Sequence, residues 1–136
     1  MFIGDLKTTK IDDKYYRLIT NFTYRNAYMN ISVTVPMGFK TDFASTPDWL
    51  QGLFHPTSKY YSKGSVIHDY MYATKKFDRK KCDKIFFEAM KEEADTENPR
   101  TAWFMRWSFY LVVRIFGAKH YGWFGRSNYT FSFRSN

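Results

Sequence analysis

His68, Asp69, Tyr72 and Asp83 are the residues of this chain whose types and spacing suit chemistry. They lie in the stretch VIHDYMYATKKFDRKKCDKIFFEAM, Val66 to Met90, with Tyr72 four residues after His68 and Asp83 fifteen after it. At about 100° per residue His68, Met71, Tyr72 and Lys75 share one helical face. Asp69 lies on the adjacent flank, within reach of Tyr72. In the next segment Cys82, Ile85, Phe86, Ala89 and Met90 form an apolar stripe opposite Lys80, Lys84, Glu88 and Lys91. Asp83 falls inside the apolar arc, where an unpaired carboxylate costs several kcal/mol. His68 stands about seven residues before the intervening turn and Asp83 about five after Asp78. At about 1.5 Å per residue the two sit at similar heights on antiparallel neighbours. The spacing therefore predicts a His68–Asp83 dyad, in which the carboxylate orients the imidazole and the free ring nitrogen takes a proton from water. Asp69 is left to bind a cation. The same pair can equally serve as a tie between two helices.

Those residues need elements to position them. Residues 15–36, YYRLITNFTYRNAYMNISVTVP, are rich in β-branched and aromatic side chains, and MNISVTV alternates polar with apolar. This predicts a β-hairpin turning near Asn26 and ending at Pro36. Gly38 marks a sharp backbone bend. Ser45 or Thr46 before Pro47 predicts a short helix starting at Pro47, and residues 55–62 read as loop. Helices are predicted from Lys63 to Thr74, from an Asp78 cap to about Ala94, and from Thr101 to Gly117. The tail NYTFSFRS alternates again and would add a strand to the N-terminal sheet. The expected fold is α+β: a small N-terminal antiparallel sheet followed by a three-helix bundle, whose HDxxY helix packs on a helix with a lone Asp. A single domain over 1–136 follows, β-rich over 1–40, loop with a short helix over 41–62, helical over 63–117, with a basic tail over 118–136.

Composition narrows the partners. The 136 residues carry 21% aromatics and a formal charge of +8, which speaks against a disordered polypeptide. The charge is uneven: all 13 acidic side chains precede residue 99, whereas Arg100, Arg106, Arg114, Lys119, Arg126 and Arg134 follow it. A basic, aromatic C-terminal third suits an anionic partner, whether a phospholipid surface, nucleic acid or an acidic protein face. No nucleic-acid recognition motif accompanies the charge. One cysteine, Cys82, leaves no intrachain disulfide. The N-terminus MFIGDLKTTK does not read as a signal peptide, and no run of about 18 apolar residues could span a membrane.

Four blocks in order carry a resemblance: Gly38–Pro47 (GFKTDFASTP), His68–Tyr72 (HDYMY), Asp83–Phe86 (DKIF) and Arg114–Gly117 (RIFG). They resemble a family of small bacteriophage and prophage proteins catalogued as a domain of unknown function. The pattern there is GFxTDxASxP, HDxxY, Asp-x-x-Phe and RxFG, often with Ala where this chain has Cys82. The resemblance implies a phage origin, with the infected host cytoplasm or the virion as location, and a compact domain. A second, local resemblance joins HDYMY and CDKIFFEAM to the active-site helices of phospholipase A2, including the virion-borne domain of parvoviruses. It implies His68 as general base, Asp83 completing the dyad, Tyr72 bonding the dyad carboxylate, and Asp69 as a Ca²⁺ ligand. Phospholipase A2 completes its calcium site with a glycine-rich loop. The segment before His68, SKYYSKGSV, has only Gly64. Asp42 in GFKTDFAS could replace that loop, and two carboxylates suit Ca²⁺ or Mg²⁺. With His68 as a ligand, Zn²⁺ or Mn²⁺ would fit instead. Asp42 could equally cap its own loop.

The other polar residues carry less. Arg106, Tyr110 and Arg114 recur every four residues along the third helix, which reads as a core helix with one solvated stripe. Alternatively it is an interfacial helix with Trp103, Trp107 and the arginines at headgroup level. His55 and His120 have no metal-ligand spacing. Cys82 sits on the apolar stripe as a core residue, not a nucleophile. Three functional classes follow: a phage hydrolase, lipid esters being its most concrete substrate; a virion- or tail-associated structural protein with a structural His–Asp core; and a host-directed binding protein acting through residues 99–136.

Overall fold

A computed structural model describes residues 1–42, 60–94, 98–119 and 121. Its elements run β1 (Phe2–Ile3), β2 (Thr8–Lys10), β3 (Tyr16–Leu18), β4 (Phe22–Asn26), β5 (Ile31–Val35) and β6 (Lys40–Thr41). Three helices follow, α1 (Ser62–Thr74), α2 (Arg79–Glu93) and α3 (Pro99–Phe116), and then a 3₁₀ turn at Gly117–Lys119. The fold is α+β, with small antiparallel sheets preceding three helices.

Two three-stranded sheets take the place of one, in the orders β1-β4-β5 and β2-β3-β6. The β4–β5 hairpin registers Phe22 on Val35 and Asn26 on Ile31. Its turn spans Ala27–Asn30, just beyond Asn26. The Asn26 side chain accepts the Met29 amide at 2.9 Å, and Asn30 supplies the left-handed residue at φ 51. On β5 Ile31, Val33 and Val35 are buried while Ser32 and Thr34 face solvent, so one face of the hairpin is core. Gly38 adopts φ 91 and donates its amide to Leu18, which swings the chain back so that β6 pairs with β3.

α1 is buried nearly all round, from Ser62 to Ala73, because β5 and β6 cover one side and α2 another. It stops at Lys75, a left-handed C-cap whose amide bonds the Met71 and Tyr72 carbonyls. Asp78 caps α2 by accepting the Lys81 amide at 3.0 Å. α3 begins at Pro99, two residues before the expected Thr101, because Asn98 caps it and Pro99 fills the first helical position. α2 divides two cores. Cys82, Ile85 and Ala89 join the sheet and α1, while Phe86 and Met90 pack with Tyr61, Phe109 and Val113 under α3. The short helix expected at Pro47, the strand expected in the tail, and His55 and His120 lie outside the described residues.

Candidate functional site

Three helices converge on one carboxylate. Asp83, in the first turns of α2, has a fully buried side chain. Its Oδ1 meets His68 Nε2 from α1 at 2.8 Å and accepts the Tyr72 hydroxyl at 2.5 Å. Its Oδ2 accepts Arg114 Nη1 from α3 at 2.7 Å. The α1 face predicted from spacing is real: His68, Met71 and Tyr72 are buried together, with the His68 ring 4.0 Å from Tyr72 and 4.7 Å from Phe86. Lys75 ends the helix and is exposed.

The charges follow from this packing. Burial pushes the His68 imidazole below its ordinary value, outweighing the pull of Asp83, and the Asp42 charge acts on the ring in the raising sense. Burial pushes the Asp83 carboxyl up, but hydrogen bonds from His68, Tyr72 and Arg114 together hold it below the ordinary range. Burial, together with donation to Asp83, pushes the Tyr72 hydroxyl well up, so it stays a donor. Asp83 is thus an anion and His68 a neutral ring. Nε2 must carry the proton it donates to Asp83, which leaves Nδ1 as the basic nitrogen. The counter-charge of Asp83 is Arg114, whose guanidinium is itself raised by that bond.

A second layer fixes the first. Arg79 Nη1, from the first turn of α2, donates to the Val113 and Arg114 carbonyls at 3.0 and 3.1 Å, satisfying the open end of α3 beside the ion pair. Gly117 packs so tightly that a Cβ there would fall 2.7 Å from the Tyr72 hydroxyl oxygen. Tyr121 meets Tyr72 edge-on at 5.3 Å and donates its hydroxyl to the Phe77 carbonyl. The Cys82 thiol points at that same carbonyl, and burial pushes it up to about 12, so it is a core thiol and not a nucleophile at neutral pH.

Asp69 lies on the flank facing β6, where its Oδ2 accepts the Thr41 hydroxyl at 2.5 Å. Asp42 directly follows that strand and is 7% exposed, and Asp69 is 3% exposed. The two carboxylates thus both adjoin Thr41, one by a hydrogen bond and one in sequence. Their hard oxygen donors suit Ca²⁺ or Mg²⁺. Among the described residues no group of three or more His, Cys, Asp or Glu side chains is placed to hold a metal ion.

Arg114 and Gly117 are the site residues that helical periodicity misses. Arg106, Tyr110 and Arg114 do share one stripe, but it turns inward against α2. Arg106 lies 4.9 Å over the Phe87 ring, Tyr110 lies 5.3 Å from it, and Arg114 reaches Asp83. The pairing of Arg114 and Gly117 in the RIFG block was the available signal.

An α+β domain whose three helices are tied by a buried His–Tyr–Asp–Arg network is what fold and site define together. The chain belongs to the family described as Protein of unknown function (DUF1353), whose profile matches residues 16–109. That span holds His68, Tyr72 and Asp83 and stops short of Arg114. Neither the curated proteins nor the solved structures compared with the chain give a match.

Proposed function

We propose that this protein is a bacteriophage-type hydrolase in which His68 activates water, with lipid esters as the substrate class. The observation that carries the reading is the geometry of the dyad: His68 Nε2 is held at 2.8 Å by the fully buried Asp83 carboxylate, which favours the tautomer protonated at that nitrogen. A ring fixed in that tautomer is a base ready at neutral pH. In the reaction His68 Nδ1 takes a proton as the water oxygen bonds the ester carbonyl carbon. The imidazolium then returns that proton to the leaving alkoxide as the carbon–oxygen ester bond breaks, giving acid and alcohol. Asp83 and Tyr72 hold the ring in place throughout. Asp69 and Asp42 would hold a divalent cation, Ca²⁺ by preference, with Mg²⁺ or Zn²⁺ as alternatives. Such an ion supplies polarisation of the carbonyl.

One observation favours a second reading. Asp83 is fully buried and already neutralised by Arg114, which is how an ion pair that ties three helices together is built. In that reading the protein is a structural part of a phage particle.

The test is hydrolysis of mixed anionic vesicles and of a soluble short-chain ester, with Ca²⁺, Mg²⁺ or Zn²⁺ present. His68→Ala and Asp83→Asn run beside the wild type, with folding checked by circular dichroism. Turnover abolished in both well-folded variants establishes the base. No turnover with any ion, together with a destabilised His68→Ala, assigns the network to structure.

A further inference from the structure

α3 buries Ala102, Phe109 and Val113, the last two in the second core, and is apolar on its far side as well. Its polar stripe faces α2, and its outward face is apolar. Trp103, Phe104, Trp107, Leu111 and Ile115 are 58%, 63%, 41%, 53% and 67% exposed. At about 100° per residue they fill an arc of roughly 120°. Single exposed apolar side chains are ordinary, but a contiguous row of large ones along an 18-residue helix is not. The centre of the arc carries Arg100, which is exposed, and exposed Lys119 lies just past the other end. No acidic residue occurs anywhere from Asn98 onward.

We propose that this face of α3 is a docking surface for an anionic lipid bilayer, on which the helix lies flat. Three features choose that occupant. Cations at both ends and the absence of Asp and Glu from Asn98 onward complement an anionic surface. The two tryptophans, whose rings lie 6.5 Å apart, are the side chains that favour the headgroup boundary, while Leu111 and Ile115 offer nothing that a nucleic acid could stack on or hydrogen-bond. A second copy of the chain fits poorly, because an antiparallel two-fold pairing sets Arg100 against Lys119 of its mate, like charge on like. No helix among the described residues is long and apolar enough to cross a membrane, so the helix lies on the bilayer and does not span it. The inference needs adsorption only and does not depend on the hydrolytic reading.

Co-sedimentation of the full chain with vesicles tests it, using phosphatidylcholine alone and phosphatidylcholine with about a third phosphatidylglycerol. The expected result is binding to the anionic vesicles, a blue shift of tryptophan emission, and weakening as salt rises. The exposed pair Leu111→Glu/Ile115→Glu is expected to cut partitioning by about tenfold or more while leaving the circular dichroism and Tm unchanged. Arg100→Glu is expected to cut it less, and only at low salt. Absence of wild-type binding overturns the proposal, as does equal binding by Leu111→Glu/Ile115→Glu. A concentration-dependent dimer that this double variant abolishes assigns the face to self-association and overturns it too. A hydrolytically dead protein that still binds anionic vesicles leaves this proposal standing while the enzymatic one falls.

Discussion

Replacing Arg114 by Met removes the guanidinium that compensates Asp83 but keeps much of its aliphatic stem. The carboxylate left behind is fully buried, and the lost bond is a 2.7 Å charge-assisted one. A hydrogen bond to a charged group contributes about 1.5–3 kcal/mol, and breaking a fully buried ion pair costs about 3–5. The Arg114 side chain is 29% exposed, which places the loss toward the lower range, about 2–3 kcal/mol. That is roughly 6–10 °C in Tm for a chain of this size. The pH dependence identifies the cause. In the wild type the folded imidazole lies below its ordinary value, so stability is lost as pH falls and the unfolded chain takes up a proton that the folded one refuses. Without Arg114 the imidazolium of His68 becomes the counter-charge of Asp83 and the folded value rises. A raised folded value adds stability that is present below the unfolded value, about 6.5, and is lost as pH climbs through the folded one. The deficit of Arg114→Met is therefore largest at pH 8 and shrinks toward pH 6. Urea denaturation at both pH values measures it, with the His68 ring followed by nitrogen-detected NMR. A deficit under about 0.5 kcal/mol at pH 8, the size of an exposed pair, or one identical at the two pH values, would refute the reasoning.

Three other outcomes are expected. Tyr72→Phe removes one donor from Asp83 and should cost about 1–2 kcal/mol by urea denaturation, leaving the His68–Asp83 bond in place. Gly117→Ala should cost about 1–3 kcal/mol because its Cβ meets the Tyr72 hydroxyl, and thermal melts should show part of that loss recovered in Gly117→Ala/Tyr72→Phe. Glu93 accepts the Lys63 and Gly64 amides at the start of α1, and burial pushes it up to about 7. A carboxyl raised in the fold loses its stabilising contribution as pH climbs from its unfolded value toward 7. The stability advantage of wild type over Glu93→Gln should accordingly shrink between pH 5 and pH 8 in paired denaturation curves.

The sequence discloses the helices and the dyad for concrete reasons. Asp78 is an unambiguous cap, and Asp83 is a charge in the middle of an apolar stripe, so it demands a partner at a distance that fifteen residues of helix–turn–helix set. The β5 alternation is equally plain. β2, β3 and β6 are three, three and two residues long, too short to show alternation, so the second sheet cannot be told apart in the chain. Arg114 is hidden for a different reason. Its spacing from Arg106 and Tyr110 is that of a polar stripe, and a polar stripe ordinarily faces water. What turns it inward is the company it finds on α2, the Phe87 ring and the Asp83 carboxylate, and that is tertiary information. Gly117 is hidden likewise: beyond its role as a helix end, only the Tyr72 hydroxyl across the interface requires a glycine there.

The inward turn of Arg114 bears on how the molecule assembles. His68 and Asp83 belong to a helical hairpin that closes over fifteen residues, whereas Arg114 arrives from 31 residues further on. Local pairs form early in folding and distant ones late. Until α3 docks, Asp83 lacks the Arg114 guanidinium that compensates it in the fold. Seating α3 thus brings the buried carboxylate its counter-charge. The linkage runs both ways: whatever draws α3 away from α2 leaves Asp83 without that guanidinium. The helix that presents Trp103 and Trp107 to the outside is the helix that neutralises the carboxylate to which His68 is tied.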